Sequence, residues 1–170
     1  NRKGDFADFL PEFEDWRFGW LDVPELVRAS GGCFEYPMVD RDPLPKWTEG
    51  RATLLGDAAH AMYPIGSNGA SQAIIDARVL AREIRAHGET PAALEAYEAE
   101  RRPATSAIVL ANRRNGPEQV MQLVEERAPA GFDNLDEVLA REELEAVAAA
   151  YKKVAGFTIE ELNARPPILG

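Results

Sequence analysis

The residues best suited to chemistry lie between Arg51 and Arg78, where an apolar run leads into an acidic turn, a Pro/Gly loop and a helical pattern. Gly56 permits a sharp turn, and Asp57 follows at the position where α/β folds place ligand contacts. The first N–H groups of a helix have no intrahelical partners and lie at its partially positive end. A carboxylate beside such an end can accept hydrogen bonds from ligand hydroxyls while the helix stabilises a neighbouring anion, phosphate or ring carbonyl.

Three other interpretations of this segment are a purely structural turn, a catalytic site at His60 and a metal site. A Gly-rich turn with a capping Asp or Ser also occurs in purely structural roles, and composition alone leaves that interpretation equally open. His60 could act as a base with Ser67 and Asp57, but no G-x-S-x-G elbow is present, so a packed His hydrogen-bonded to the backbone is the better interpretation. Asp57 and His60 lack third and fourth partners for a metal. We therefore predict no catalytic side chain and no metal ligand.

The elements that position this segment are predicted from hydrophobic periodicity. Residues 52–55 form a short apolar run typical of a buried strand. Residues 33–39 indicate an edge or bulged strand, because Pro37 interrupts them. From Gly69 to Gly88, small and apolar residues recur at three- and four-residue spacing, which predicts a helix with one apolar face. That face comprises Ala70, Ala73, Ile74, Ala77, Leu80, Ala81 and Ile84.

Two further helices are predicted from capping residues and prolines. Asp22 caps a short helix that ends at residues 31–32, a Gly-Gly pair. Thr90, followed by Pro, opens a long helix. Pro103 should kink or break that helix, and Gly116 should end it.

The last third of the chain is also predicted to be helical. A helix is expected over about residues 118–127, and another from an Asn134 cap to about Val154. Thr158 with Glu161 repeats the capping device, and Pro166 follows the last helix. The acidic residues here alternate with Ala, Leu and Val, which is typical of solvated faces of amphipathic helices.

Composition excludes several classes of function. The chain has 170 residues, with 19 Lys and Arg against 29 Asp and Glu, and a net charge of −10. This balance argues against binding to nucleic acid or to an anionic membrane, since both require clustered cations. The single Cys33 excludes an internal disulfide, and no apolar run approaches the ~18 residues of a membrane helix. A chain that starts at Asn1 without a signal segment is expected to be a trimmed or excised piece of a cytoplasmic protein.

Residues 56–60 (GDAAH), followed by Pro64, Gly66, Gly69 and a helix containing Asp-Ala at 76–77, resemble a known motif. It is the second flavin-binding motif of the FAD-dependent aromatic-ring monooxygenases of the para-hydroxybenzoate hydroxylase type. Residues 62–77 (MYPIGSNGASQAIIDA) are most similar to the phenazine- and salicylate-hydroxylase-like branch. The similarity covers most of residues 35–105. Its flanking features are residues 36–37 (YP), 40–43 (DRDP), Trp47, 94–98 (LEAYE) and 101–103 (RRP).

The resemblance implies a role for each matching residue. Asp57 would accept a hydrogen bond from a ribityl hydroxyl of FAD. Pro64 would lie beside the reactive edge of the isoalloxazine and line the substrate pocket. Backbone N–H groups from Gly66 through Ser71 would approach the flavin pyrimidine edge, with Ala70 and Ser71 nearest the C2 carbonyl. The implied cofactor-binding residues are Gly56, Asp57, Pro64, Gly66, Ser67, Asn68, Gly69, Ala70 and Ser71.

The resemblance also implies a reaction. Hydride would pass from NAD(P)H to FAD, O2 would be captured as a flavin hydroperoxide, and one oxygen atom would be delivered to a small aromatic substrate. Because reduced flavin carries negative charge at N1 and O2, a helix N-terminus beside that edge stabilises it without reorganisation.

The chain departs from the family in one respect: it contains no G-x-G-x-x-G, the fingerprint that binds the ADP half of FAD. We therefore expect a mostly helical α+β fragment, the carboxyl-terminal part of an α/β FAD-binding fold with an edge of the substrate-domain sheet. Residues 1–50 would end the substrate-binding domain, 51–88 would form the FAD-binding strand-turn-helix, and 89–170 the helical C-terminal region. The N-terminal part of the same enzyme would then be its partner.

Two alternatives remain open at this point. The chain could be a non-enzymatic helical binding module that retains a flavoprotein-like turn. It could also belong to a related flavin epoxidase or halogenase-like oxidoreductase. An in-frame strand, G-x-G-x-x-G and helix encoded upstream would favour the fragment over the module.

We predict that the 170-residue chain by itself neither holds FAD tightly nor turns over, because it lacks the pyrophosphate site. The test is the visible absorbance of the purified chain after incubation with FAD and gel filtration. A yellow protein with stoichiometric flavin would contradict the prediction.

Overall fold

The computed structural model describes residues 2–164 and Pro167. The described chain forms two compact units, one ending at Met38 and one beginning at Val39. Helices and a few short strands account for its regular structure, which agrees with the predicted mostly helical α+β class. The predicted three-part domain division stays a prediction, and Pro166 lies outside the described residues.

The first unit contains two small antiparallel sheets, in which residues 2–3 pair with residues 34–35 and residues 17–18 pair with residues 21–22. The predicted strand over residues 33–39 is shorter than expected, because only two of its residues pair. Pro37 has no N–H to donate to a ladder, which accounts for the early end. The strands are β1 (Arg2–Lys3), β2 (Arg17–Phe18), β3 (Leu21–Asp22) and β4 (Phe34–Glu35).

Aromatic side chains and one capped helix complete the first unit. Successive edge-to-face contacts join Phe6, Phe9, Phe13 and Trp16, with ring centroids 6.1, 6.3 and 4.9 Å apart. Helix α1 (Val23–Ala29) begins where the Asp22 carboxylate accepts a hydrogen bond from the Glu25 N–H. The predicted cap at Asp22 is therefore confirmed.

The second unit is helical, and its two longest helices, Gly69–His87 and Pro91–Asn112, pack against each other. Helix Pro91–Asn112 also packs against helix Arg141–Ala155. No helix of the described residues is long and apolar enough to cross a membrane. The helices are α2 (Asp57–His60), α3 (Gly69–His87), α4 (Pro91–Asn112), α5 (Gln119–Arg127), α6 (Leu135–Val138), α7 (Arg141–Ala155) and α8 (Ile159–Ala164).

Residues 52–55 do not form the predicted strand. Only Ala52 pairs, in an isolated bridge with Glu49, and Leu55 is exposed. An extended segment needs a neighbouring strand to satisfy its backbone groups, and no such strand lies beside it among the described residues. One of its carbonyls finds a side-chain partner instead, since Tyr97 Oη donates to the Leu54 oxygen at 3.1 Å.

Pro103 is predicted to kink or break helix α4. The helix continues through Pro103, so it does not break there, and the kink stays a prediction. A proline inside a helix costs about 3 kcal/mol, which the packing of α4 against α3 and α7 offsets. The hydroxyls of Thr105 and Ser106 donate to the carbonyls of Arg101 and Arg102, so the backbone next to the proline gains side-chain partners.

The helix predicted from Asn134 to about Val154 is divided in two. The Asn134 side chain caps α6 through the Asp136 N–H, but Leu139 adopts an extended conformation and α7 begins two residues later. Leu139 is 1% exposed, so the break between α6 and α7 buries its apolar side chain. The predicted Thr158 cap is confirmed, because Thr158 Oγ1 accepts from the Glu161 N–H at 3.2 Å.

The buried face of α3 differs from the predicted apolar face. Ile74 is 61% exposed, whereas Gln72, Asp76 and Val79 are buried. The polar pair is buried because α4 supplies Arg101 as a partner for both side chains. An aromatic core lies beside this pair and comprises Trp47, Ala59, Val79 and Tyr97, with Leu44, Leu54, Ile75 and Leu80 packed against it.

Leu139→Ala is expected to lower the free energy of unfolding by about 2–5 kcal/mol, because it leaves a cavity at a fully buried position. Leu135→Ala is the matched control, and since Leu135 is 36% exposed we expect a loss of at most about 1 kcal/mol. Urea unfolding of the chain measures both. Equal losses would show that Leu139 does not anchor the junction of α6 and α7.

Candidate functional site

The site begins at the Gly56-Asp57 turn. Gly56 has a φ of 60° and a ψ of −137°, a conformation that side-chain-bearing residues rarely adopt. A Cβ at Gly56 would lie 3.3 Å from the Ala73 Cβ, so the turn sits directly against the first part of α3. Asp57 starts α2 rather than ending a strand, and its carboxylate is exposed. No described residue forms a hydrogen bond or ion pair with that carboxylate, which leaves it available to a ligand.

The buried carboxylate of Asp76 fixes this turn. Its Oδ2 accepts a hydrogen bond from the Gly56 N–H at 3.1 Å and lies 2.5 Å from His60 Nε2. Its Oδ1 accepts from Arg101 Nε at 2.7 Å. Asp76 is fully buried, so these contacts satisfy a charge that water does not reach. One side chain of α3 therefore connects the Gly56 turn, α2 and α4.

The environment of Asp76 favours its charged form. Burial raises the pKa of the carboxyl, but hydrogen bonds from His60 and Arg101 outweigh burial and lower the pKa below its usual value of 3.8. Arg101 also donates from Nη2 to Gln72 Oε1 at 2.6 Å. The Asp76–Arg101 pair is thus an ion pair with additional hydrogen bonds, the arrangement in which a buried charge pair is tolerated.

His60 is buried, as predicted, but the prediction of a backbone partner is wrong, because its ring bonds to Asp76. The rings of His60 and Trp47 lie 5.7 Å apart. The other ring nitrogen, Nδ1, has no partner among the described residues. His60 Nε2 bonds to Asp76, and no hydrogen bond joins His60 to Ser67 in the described part of the chain.

The loop that follows α2 exposes some predicted site residues and buries others. Pro64 and Ser67 are exposed, and Asn68 is 4% exposed. Gly66 and Ser67 have φ angles of 72° and 52°, so two successive residues adopt the left-handed region. This turn directs the chain into the start of α3.

The N-terminus of α3 has free backbone donors. The first hydrogen bond of the helix runs from the Gln72 N–H to the Asn68 carbonyl at 2.9 Å. The N–H groups of Gly69, Ala70 and Ser71 therefore have no helical acceptor, and the Asn68 side chain does not cap them. Ala70 and Ser71 are exposed. With no acidic residue in its first turn, this helix end can donate to a carbonyl or an anion.

Residues 40–42 hold α2 from its other end. Arg41 donates from its side chain to the Ala58 carbonyl at 2.7 Å, and its N–H donates to the Ala61 carbonyl at 3.0 Å. Asp40 and Asp42 pair with Arg113, which follows α4. These ion pairs link the loop to the end of α4.

Sequence reasoning did not identify the Asp76–Arg101–Gln72 network. Gln72 and Asp76 are four residues apart and so lie on one face of a helix. They lie away from the predicted apolar face, and their shared spacing is the signal that could have found them. The contribution of Tyr151 in α7 has no comparable signal, because its partner Asn68 is distant in sequence.

The comparison with known families agrees with this geometry. Residues 38–112 match the FAD binding domain family. Over these residues the chain is similar to that family, and its relatives include a phenazine hydroxylase and a 3-hydroxybenzoate hydroxylase. The predicted resemblance and the predicted cofactor, FAD, are confirmed by this match.

Individual relatives are aromatic hydroxylases. Over 110 residues (65% of this chain and 27% of the relative) the sequence is 64% identical to phenazine 1,6-dicarboxylic acid hydroxylase PhzS of Lysobacter antibioticus. Over 126 residues (70% and 32%) it is 39% identical to 3-amino-4-hydroxybenzoate 2-monooxygenase PtnB3 of Streptomyces platensis. Over 93 residues (54% and 29%) it is 45% identical to 3-hydroxybenzoate 6-hydroxylase 2 of Aquipseudomonas alcaligenes. The matched part spans less than a third of each curated relative.

Asp76→Asn is expected to lower the free energy of unfolding at neutral pH by about 3–5 kcal/mol, because it leaves the Arg101 charge buried without a counter-charge. Since folding lowers the pKa of Asp76, its contribution is complete above about pH 4 and is lost as the pH falls towards the lowered pKa. The difference between wild type and variant should therefore shrink in acid.

Urea unfolding as a function of pH measures this difference. Asp57→Asn is the matched control, and it should leave stability unchanged because that carboxylate is exposed and has no described partner. A difference in stability between wild type and Asp76→Asn that is the same at neutral and acidic pH would contradict the prediction.

Proposed function

We propose that the complete protein containing this chain is an FAD-dependent monooxygenase that hydroxylates a small aromatic substrate with O2 and NAD(P)H. In this proposal the chain is the carboxyl-terminal part of the enzyme and contacts the ribityl chain and the pyrimidine edge of the flavin. The observation that carries the proposal is the exposed Asp57 carboxylate, which has no partner among the described residues. It lies on a turn that packs against α3, and the Asn68 side chain does not cap the first N–H groups of that helix.

The residues present fit this part of FAD. A carboxylate is an acceptor without a donor of its own, so Asp57 suits the ribityl hydroxyls. The N–H groups of Gly69, Ala70 and Ser71 are donors at the positive end of a helix, so they suit the carbonyl-bearing pyrimidine edge. Both sets lack protein partners among the described residues, as groups reserved for a ligand must.

When bound, FAD would supply electron transfer from NAD(P)H and the activation of O2, chemistry that no side chain of this chain offers. The residues of this chain would bind the flavin and orient it. The N-terminus of α3 stabilises negative charge at the pyrimidine edge with donors that are already in place. Pro64 is exposed and lacks an N–H, so it offers an apolar surface towards the reactive side of the ring and the substrate.

The proposal also covers the site for the adenosine diphosphate half of FAD, the substrate and the location of the enzyme. The adenosine diphosphate half of FAD requires a strand, G-x-G-x-x-G and helix, which the missing N-terminal part would supply. The names of the relatives above specify phenazine dicarboxylic acid and hydroxybenzoates, so small aromatic acids are the first substrates to test. We also propose that the enzyme is cytoplasmic, where NAD(P)H is supplied.

Asp57→Ala in the complete protein is expected to weaken FAD binding by about tenfold to a hundredfold, because it removes a charged hydrogen-bond acceptor. The dissociation constant is measured by flavin fluorescence titration of the apoprotein. Asp133→Ala is the matched control, since it removes one exposed carboxylate without changing the proposed site.

Two results would contradict the proposal in different ways. An unchanged dissociation constant for Asp57→Ala would remove Asp57 from its role while leaving the enzyme class intact. A complete wild-type protein that binds no FAD would reject the flavoenzyme altogether and favour a binding module.

A further inference from the structure

The phenol ring of Tyr151, in α7, packs between two glycines that precede helices. A Cβ at Gly66 would lie 2.6 Å from Tyr151 Cζ, and a Cβ at Gly116 would lie 3.0 Å from Tyr151 Cε2. Both glycines have positive φ angles, 72° and 47°. The loop before α3 therefore approaches the ring so closely that only glycine fits.

The hydroxyl of Tyr151 fixes the orientation of two buried amides. Asn112 Nδ2 donates to the Tyr63 carbonyl at 3.1 Å, which turns Asn112 Oδ1 towards Tyr151. Tyr151 Oη must therefore donate to that oxygen, at 2.8 Å. The same hydroxyl then accepts from Asn68 Nδ2 at 2.6 Å. Burial raises the pKa of Tyr151, although the Asn68 hydrogen bond opposes this effect, so the hydroxyl keeps the proton that it donates.

Asn68 does not take the capping role that its position favours. Asparagine preceding a helix commonly accepts a hydrogen bond from the second or third helical N–H, here the N–H of Ala70 or Ser71. Asn68 does not do so. Its backbone has φ −96° and ψ −17° rather than the extended conformation typical of a capping residue.

We infer that Tyr151 is a positioning residue that keeps the N-terminus of α3 open to the flavin, by binding the Asn68 amide that would otherwise cap Ala70 or Ser71. The inference rests on the proposed function, because it assigns the freed N–H groups to FAD. It extends the site beyond residues 38–112, the segment that matches the family.

Two further contacts support the assignment of the C-terminal region to this loop. Glu118 Oε1 accepts a hydrogen bond from the Gly66 N–H at 3.3 Å. The Ala155 carbonyl, at the end of α7, accepts from Gln72 Nε2 at 3.3 Å. Residues on both sides of Tyr151 in sequence thus hold the loop and the first turn of α3.

The first test uses amide hydrogen exchange in the complete protein without FAD. In Tyr151→Phe, release of Asn68 should slow exchange of the Ala70 or Ser71 amide by about tenfold, because a capped amide is protected. Tyr63→Phe is the matched control, since it removes a phenol hydroxyl that has no described partner near the same loop, and it should leave both amides unchanged. Unchanged or faster exchange in Tyr151→Phe would overturn the inference, because it would indicate a merely structural contact.

The second test measures FAD binding by the complete protein. Tyr151→Phe should weaken binding by about tenfold, the effect of occupying one ligand donor. Adding Asn68→Ala to Tyr151→Phe removes the competing cap and should restore most of that loss. A double variant that binds FAD no better than Tyr151→Phe would overturn the inference.

The two tests separate this inference from the proposed function. A wild-type protein that binds no FAD would overturn the proposed function and, with it, the ligand assigned here. The exchange experiment decides independently whether Tyr151 controls Asn68.

Discussion

The buried carboxylate of Asp76 is the interaction on which the site depends. It receives the Gly56 N–H, the His60 ring and the Arg101 guanidinium, and thereby fixes three segments to α3. The charge is retained in the interior because a full set of donors compensates for its loss of water. Asp57 is one residue from this network, yet its own carboxylate stays exposed. The buried Asp76 carboxylate thus fixes the turn on which the exposed Asp57 carboxylate lies.

Tyr151 forms a second set of contacts with the segment at the N-terminus of α3. The hydroxyl of Tyr151 links Asn68 to Asn112, and its ring requires glycine at residue 66. In the proposed function, Asp76 orients the turn that carries the acceptor Asp57, and in the inference above Tyr151 keeps the N–H donors of α3 free. Preorganised polar groups of this kind favour a charged ligand because they need not rearrange when it binds. We therefore propose that the helical C-terminal region supports the loop that precedes α3.

Local signals in the sequence were sufficient for the start and end of α3, the Asp22 cap and the glycine turn at residue 56, because each depends on neighbouring residues. They failed where distant partners decide the outcome. Ile74 is exposed and Asp76 buried, since Arg101 on another helix compensates the carboxylate. The run over residues 52–55 has strand character, but a strand also requires a partner strand. The proposed roles of the Gly56-Asp57 turn follow from family resemblance, whereas the inferred role of Tyr151 depends on contacts with residues that are distant in sequence.

The most direct test of this account is a crystal structure of the complete protein with FAD bound. The account predicts an Asp57 carboxylate oxygen and the Ala70 or Ser71 nitrogen within about 3 Å of flavin oxygens, with Asn68 still bonded to Tyr151. The carboxylate would contact a ribityl hydroxyl, and the nitrogen would contact the carbonyl at the pyrimidine edge. A flavin bound elsewhere, or an α3 N-terminus capped by Asn68 in the complex, would contradict it.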